Sequence, residues 1–162
     1  MKVKNLEIRL SHKEDASSMM ELENLVWTKG TTPAEIQFDS EAEFLEKNPP
    51  GSKTVAVLDG KVVGILGYHA PHSLKAVQHV LELDIAVHPA YQKQGIAGQL
   101  MDALKEMARK NGVKKLQLRV LSTNEKAIHF YQKNGFHKEG VLEKQFLLDG
   151  AYVDDIFMAY FL

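Results

Sequence analysis

The 162-residue chain has no cysteine. That absence removes disulfide scaffolds, thiolate zinc sites and a cysteine nucleophile. The net formal charge is only −1, so the surface exerts no general pull on nucleic acid or anionic lipid. No apolar run approaches the ~18 residues that a membrane span needs. The opening MKVKNLEIRLSHKED lacks an apolar signal segment, and a cytoplasmic protein is expected. Repeats, low-complexity tracts and linkers are also missing. What is present is an ordinary globular composition, 44% hydrophobic and 25% charged. It suits a single domain over residues 1–162 that buries roughly 70% of its unfolded surface.

One stretch, LDIAVHPAYQKQGIAGQLMDAL from Leu83 to Leu104, organises the rest. Leu83, Ile85 and Val87 alternate with Asp84, Ala86 and His88, the period-2 pattern of a strand. Pro89 ends the strand because it has no N–H to give. Ile96, Leu100, Leu104 and Met107 then recur at helical spacing, with charges on the other faces. A glycine loop opening a helix presents backbone N–H groups at the positive end of the helix dipole, which is an anion site. Neither the P-loop nor the dinucleotide fingerprint fits. No Lys-Ser or Lys-Thr follows the glycines, and Gly95-Ile96-Ala97-Gly98 leaves only G-x-x-G.

Around this stretch the chain reads as a strand from Asn5 to Leu10, then helices opened by capping boxes at Ser11-x-x-Glu14 and Thr32-Pro33-Ala34-Glu35. Asp39 or Ser40 caps a short helix through Leu45, ended by Asn48-Pro49-Pro50-Gly51. Asp59-Gly60 joins strands Lys53–Leu58 and Lys61–His69 in a hairpin, and a strand follows through Val77–Val87. After the central helix, Lys115–Leu121 alternates, and Ser122-x-x-Glu125 opens a last helix that stops at Asn134-Gly135. Two strands, Phe136–Leu147 and Tyr152–Phe161, flank Asp149-Gly150. The order of strands and helices predicts an α/β (α+β) sandwich around a mixed, mostly antiparallel sheet of about seven strands with about four helices.

The last helix carries Asn124, Ala127 and Tyr131 at i, i+3 and i+7, hence on one face. An amide, a small residue and a phenol make a poor core face but a reasonable wall for a ligand. Gln92-Lys93-Gln94-Gly95-Ile96-Ala97 resembles the pyrophosphate loop Q/R-x-x-G-x-G/A of the GNAT superfamily of N-acetyltransferases. The helix resembles that superfamily's N-x-x-A-x-x-x-Y-x-x-x-G-F, with Gly135 and Phe136 closing it. The element order is also that of the GNAT fold. The segment from Asn124 to Met158 looks like bacterial small-molecule and ribosomal-protein acetyltransferases, including spermidine acetyltransferases.

The resemblance implies acetyl-CoA as co-substrate, held by Gln92, Lys93, Gln94, Gly95, Ile96, Ala97 and Gly98. The strand backbone at Ile85, Ala86 and Val87, and Asn124, Ala127 and Tyr131, would hold the rest of it. It implies Tyr131 as general acid to the CoA thiolate, and a backbone N–H near Val87 for the oxyanion. Glu82 is the expected base, acting through water, while Asp84 and His88 share its nominal strand face. A bulge in this strand would change which of the three points inward. The expected acceptor is a small amine (polyamine, amino acid or antibiotic), with a protein α-amine or lysine as the alternative. A non-catalytic acyl-CoA-binding module is a further alternative. Dimerisation through the last strands is implied by resemblance, and neither nucleic acid nor membrane is an expected partner. His69-x-x-His72 is the only close histidine pair, and Pro71 between them opposes a helical metal site, so no metal is expected. The acidic stretch from Glu14 to Glu46 reads as an attractor of cationic acceptors or as solvated helix faces.

Overall fold

The computed structural model describes residues 3, 5–28 and 31–162. Its elements are β1 (Leu6–Leu10), α1 (Ala16–Val26), α2 (Glu41–Lys47), β2 (Thr54–Leu58), β3 (Lys61–His69), β4 (Val80–Val87), α3 (Ile96–Lys110), β5 (Lys115–Leu121), α4 (Glu125–Lys133), β6 (His137–Leu148) and β7 (Ala151–Phe161). The strands form a seven-stranded sheet in the order β1-β2-β3-β4-β5-β7-β6. The β4–β5 pair is parallel, whereas β1–β2, β2–β3, β5–β7 and β6–β7 are antiparallel. The mixed sheet and four helices are those expected from the sequence. No helix among the described residues is long and apolar enough to cross a membrane.

The chain divides into two compact units. The first comprises Met1–Val26, Ile36–Tyr68 and Asp84–Glu106. Ala16, Met19 and Leu22 of α1 and Phe44 of α2 pack against Val55, Val57, Val62 and Ile65 of the sheet. Each of these side chains larger than Ala16 contributes about 1.5–3 kcal/mol by leaving water. Ala56, between Val55 and Val57, points the other way. There it meets Gly64, whose missing Cβ would lie 2.9 Å from Leu100 Cδ1 and 3.2 Å from Ile96 Cγ2. Gly64 thus lets α3 lie close on β3, which fixes the start of α3. The hairpin turn has Asp59 at φ 50° and Gly60 at φ 81°, the two positive values of a type I′ turn.

The second unit comprises Trp27–Glu35, His69–Leu83 and Met107–Leu162. Leu116, Leu118 and Val120 of β5 and Val153, Ile156 and Met158 of β7 are buried in it. Asp149 (φ 49°) and Gly150 (φ 79°) repeat the type I′ chemistry between β6 and β7. Gly112, at φ 73°, ends α3, with Val113 N–H reaching Ala108 O at 2.9 Å.

The capping residues differ from expectation in three places. Ser11 is buried and occupied by Gly51, whose N–H reaches Ser11 Oγ at 3.2 Å, so it does not cap. Asp15 takes that part, accepting from His12 N–H at 2.7 Å. No helix follows Thr32-Pro33-Ala34-Glu35: Pro33 to Gln37 are exposed, and a cap cannot offset helix nucleation without an apolar face to bury. Ser122 Oγ accepts from Asp154 N–H at 3.0 Å, and Asn124 caps α4 by accepting from Ala127 N–H at 3.3 Å. At α2 the expected cap is present, with Glu43 N–H donating to Ser40 Oγ at 3.1 Å. The fourth strand begins at Val80, because Lys75–Val77 forms a single 3₁₀ turn.

Candidate active site

The glycine loop belongs to the first unit. Pro89–Tyr91 makes one 3₁₀ turn after His88, and Gln92 then donates from Nε2 to Val87 O at 3.3 Å. Lys93 (φ 63°) and Gly95 (φ 79°) both take the left-handed conformation. Such positions turn successive N–H groups toward one concavity that suits an anion. Strain at a non-glycine such as Lys93 is a feature that clusters at ligand clamps. The first helical bond of α3 runs from Gln99 N–H to Gly95 O at 3.1 Å. The N–H groups of Ile96, Ala97 and Gly98 therefore lie in the turn whose donors have no acceptor within the helix. The side-chain Nε2 of Gln99 is buried without a hydrogen-bond partner among the described residues. Donors without acceptors, a helix dipole and Lys93 together suit a phosphate-bearing co-substrate.

The three candidate bases have different partners. Glu82, in the second unit, accepts from Gln117 Nε2 at 3.0 Å, and its other oxygen lies 3.4 Å from His69 Nε2. Gln117 is its direct partner in the β4–β5 register. His69 is exposed, so this carboxylate has a titratable neighbour open to water. Asp84, in the first unit, lies 4.0 Å from Lys53 Nζ, and both sit over Gly67. His88 also lies in the first unit. Its Nδ1 accepts from Ala90 N–H at 3.1 Å, and its Nε2 faces Glu21 at 3.8 Å. Ile85, Ala86 and Val87 are all half-buried, so the strict in-and-out alternation weakens after Leu83.

In the second unit α4 sets Tyr131, 8% exposed, against Phe136, with ring centroids 5.9 Å apart. The helix stops at Gly135, φ 89°, and Phe136 N–H returns to Tyr131 O at 3.0 Å. A Cβ at Gly135 would meet the Tyr160 ring at 2.9 Å. The G-F pair of the motif therefore folds back to hold the phenol. Asn124 spends its carbonyl oxygen on the cap, which leaves its amide N–H groups as the donors for a ligand.

The same unit contains a pocket of about 410 Å³, with Trp27, Thr32, Pro33, Arg119, Phe146 and Asp155 in its lining. Arg119 donates from both Nε and Nη2 to Asp155 Oδ2, and its guanidinium lies 5.1 Å from the Phe157 ring centroid. The hydrogen bond to Asp155 is the main cause of a raised Arg119 pKa, and Glu82 adds to it. None of Trp27, His69, Gln117, Arg119 and Asp155 stands out from the sequence as a site residue. The available signal was the polar face of β5, where Gln117 and Arg119 alternate with buried Leu116, Leu118 and Val120.

A mixed sheet, a helix opened by a loop of left-handed residues and a phenol packed on its own glycine–phenylalanine turn are the features expected of an acyl-group transferase. Residues 17–136 match the Acetyltransferase (GNAT) family. Over 118 residues the chain is 35% identical to the L-amino acid N-acetyltransferase AaaT of Escherichia coli K12, covering 72% of each chain. It is 34% identical over 115 residues to the spermidine N(1)-acetyltransferase of the same organism, covering 66% of this chain and 56% of that one. Among solved structures, smu.2055 from Streptococcus mutans UA159 superposes with a TM-score of 0.85 at 32% identity, covering 96% of this chain and 98% of that one. The chain belongs to the GNAT acetyltransferase family. It is an enzyme of that class.

Proposed function

We propose that the chain, acting as one functional GNAT domain, moves the acetyl group of acetyl-CoA directly to a primary amine in a ternary complex. The observation that carries this reading is the loop with Lys93 at φ 63° and Gly95 at φ 79° opening α3 on a turn of orphan donors. Acetyl-CoA supplies an activated thioester, and its pyrophosphate is the anion assigned to Gln92–Gly98. The remaining chemistry falls to side chains. An amine of pKa ~10.4 costs roughly 4–5 kcal/mol to deprotonate at pH 7, so a base is needed. Glu82 takes that proton through water as the N–C bond forms, and exposed His69 gives the proton a route to solvent. A backbone N–H near Val87 meets the developing oxyanion. As the C–S bond breaks, Tyr131 donates its phenol proton to the departing thiolate, and Asn124 donates to the cofactor arm. Asp84, 4.0 Å from the Lys53 cation, and His88, 3.8 Å from Glu21, are the other two candidates for the base, ranked after Glu82 in this reading.

The acceptor is a small amine in this reading. Relatives named for an L-amino acid and for spermidine bracket the choice, and a protein α-amine is the alternative. The cytoplasm is the compartment assigned to the reaction in this reading. A homodimer through β6 and β7 is supported by the exposure of Leu147 and Tyr152 there. Calorimetric titration of acetyl-CoA and CoA, beside Gly95→Glu, tests the donor. Micromolar binding that the variant loses is the expected result, followed by thiol release with an amine panel. Absence of binding to the unaltered protein would overturn the reading.

A further inference from the structure

The chain contains two arginine–aspartate pairs with different geometry. Arg9 uses its two terminal nitrogens on the two oxygens of Asp15, at 2.7 and 3.0 Å, and Nη1 also donates to Leu10 O at 3.1 Å. That guanidinium is closed on itself. Arg119 instead puts Nε and Nη2 on a single oxygen, Asp155 Oδ2. Its other terminal nitrogen, Nη1, has no hydrogen-bond partner among the described residues. Arg119 is 46% exposed in its side chain whereas Asp155 is 3% exposed. Arg119 lines the pocket, and the Phe157 ring and the buried carboxylate fix the plane of its guanidinium.

We propose that this pocket takes an acceptor that carries a carboxylate, an α-amino acid with an apolar side chain, and that Arg119 Nη1 binds that carboxylate. The proposal narrows the acceptor of the acetyl-transfer reading and rests on that reading for the fate of the amine. A guanidinium pinned in plane by one carboxylate presents its remaining edge ready to receive another. Trp27, Pro33 and Phe146 supply an apolar wall for the side chain. The volume of about 410 Å³ lies at the small end of ligand pockets, roughly 300–1,000 Å³, as a small acceptor requires. Glu82, the assigned base, is hydrogen-bonded to Gln117, two residues before Arg119 on the same face of β5, and its charge acts on Arg119. The amine of a bound amino acid therefore belongs on the Glu82 side of the guanidinium.

A polyamine needs the opposite electrostatics. Asp155 is the only acid among the described residues of the lining, it is buried, and Arg119 already neutralises it. A polycation would meet the guanidinium with no free carboxylate to answer it. A protein α-amine carries no carboxylate at its own α-carbon and leaves Nη1 unused.

Trp27 is the sole tryptophan, so its fluorescence reports the pocket without any need for the donor. The test titrates L-methionine, its decarboxylated counterpart 3-(methylthio)propylamine, and spermidine, with and without saturating CoA. The expected result is saturation by L-methionine with at least tenfold tighter binding than either amine. Arg119→Lys keeps a cation against Asp155, and it is expected to abolish that preference, with L-methionine falling to the affinity of the plain amine. The double variant Arg119→Gln/Asp155→Asn removes both charges together and is expected to do the same, which covers a folding defect in the single variant. Spermidine or the plain amine binding as tightly as L-methionine would overturn the proposal. So would a lack of saturation by L-methionine, or a preference that survives both variants. If L-methionine binds at Trp27 and acetyl-CoA does not bind at all, the pocket stands and the donor reading falls. If acetyl-CoA is consumed with spermidine but not with L-methionine, the donor reading stands and the pocket assignment falls.

Discussion

The Gln92–Gly98 loop and the Arg119 pocket, the two sites proposed above, are built by opposite means. The loop offers backbone donors, shaped by left-handed residues at Lys93 and Gly95. The pocket offers side chains gathered from separate segments: Trp27 and Thr32, Arg119, Phe146, Asp155. A backbone site is broken by changing the shape of the chain, and a side-chain site by changing one group. The largest effect is therefore expected at Gly95→Glu, which forces a side chain into φ 79° and adds a negative charge where the proposed anion would sit. Acetyl-CoA affinity should fall about 100-fold or more, the scale of two lost charge-assisted hydrogen bonds, as read by calorimetry. Binding of L-methionine at Trp27 should not change. If it falls in parallel, the two sites are not independent.

Tyr131→Phe removes one oxygen and keeps the ring packed on Phe136. A loss of about 100-fold in kcat with acetyl-CoA affinity kept is the expected signature of a general acid. An unchanged kcat in steady-state assays would remove Tyr131 from the chemistry. Glu82→Gln should act more mildly, by about 10-fold or more, since water retains part of the role. Its diagnostic is the pH profile: the acidic limb of kcat/KM should vanish, and an intact limb would mean another base.

The same contrast explains what a sequence discloses. Gly95, and the G-F pair at Gly135–Phe136, are written as spaced glycines because only certain backbones permit those turns. The Asp59-Gly60 and Asp149-Gly150 hairpins are legible for the same reason. Local capping was less legible. Ser11 and Ser122 carry the right letters but are claimed by Gly51 and Asp154, partners distant in sequence. The box at Thr32–Glu35 failed because the segment has no apolar stripe to pack. The pocket was the least legible, since Trp27, Arg119 and Asp155 become neighbours only through the fold, and an Arg–Asp pair has no required spacing. Periodicity alone marked β5 as having a polar face at Gln117 and Arg119.

The closed pair at Arg9–Asp15 supplies the control for the open one, with the smallest expected effect on function. The side-chain hydrogen bond from Arg9 holds the Asp15 carboxyl below the usual aspartate range, and His12 N–H adds to it against the opposing effect of burial. A carboxyl whose folded pKa is depressed stabilises the fold above its unfolded pKa, near ~3.9, and that stability is lost as pH falls through the lowered folded value. Asp15→Asn should therefore cost about 1–2 kcal/mol at neutral pH, measured from urea midpoints, and the gap to the unaltered protein should shrink as the medium is acidified. A gap that stays constant with pH would mean that Asp15 acts through shape and not through charge. The affinity of L-methionine at Trp27 should be the same in both proteins, because every Asp15-facing donor of Arg9 is already used within the fold. The number of donors that the fold leaves over differs between Arg9 and Arg119, and that difference is the ground for assigning a ligand to one and none to the other.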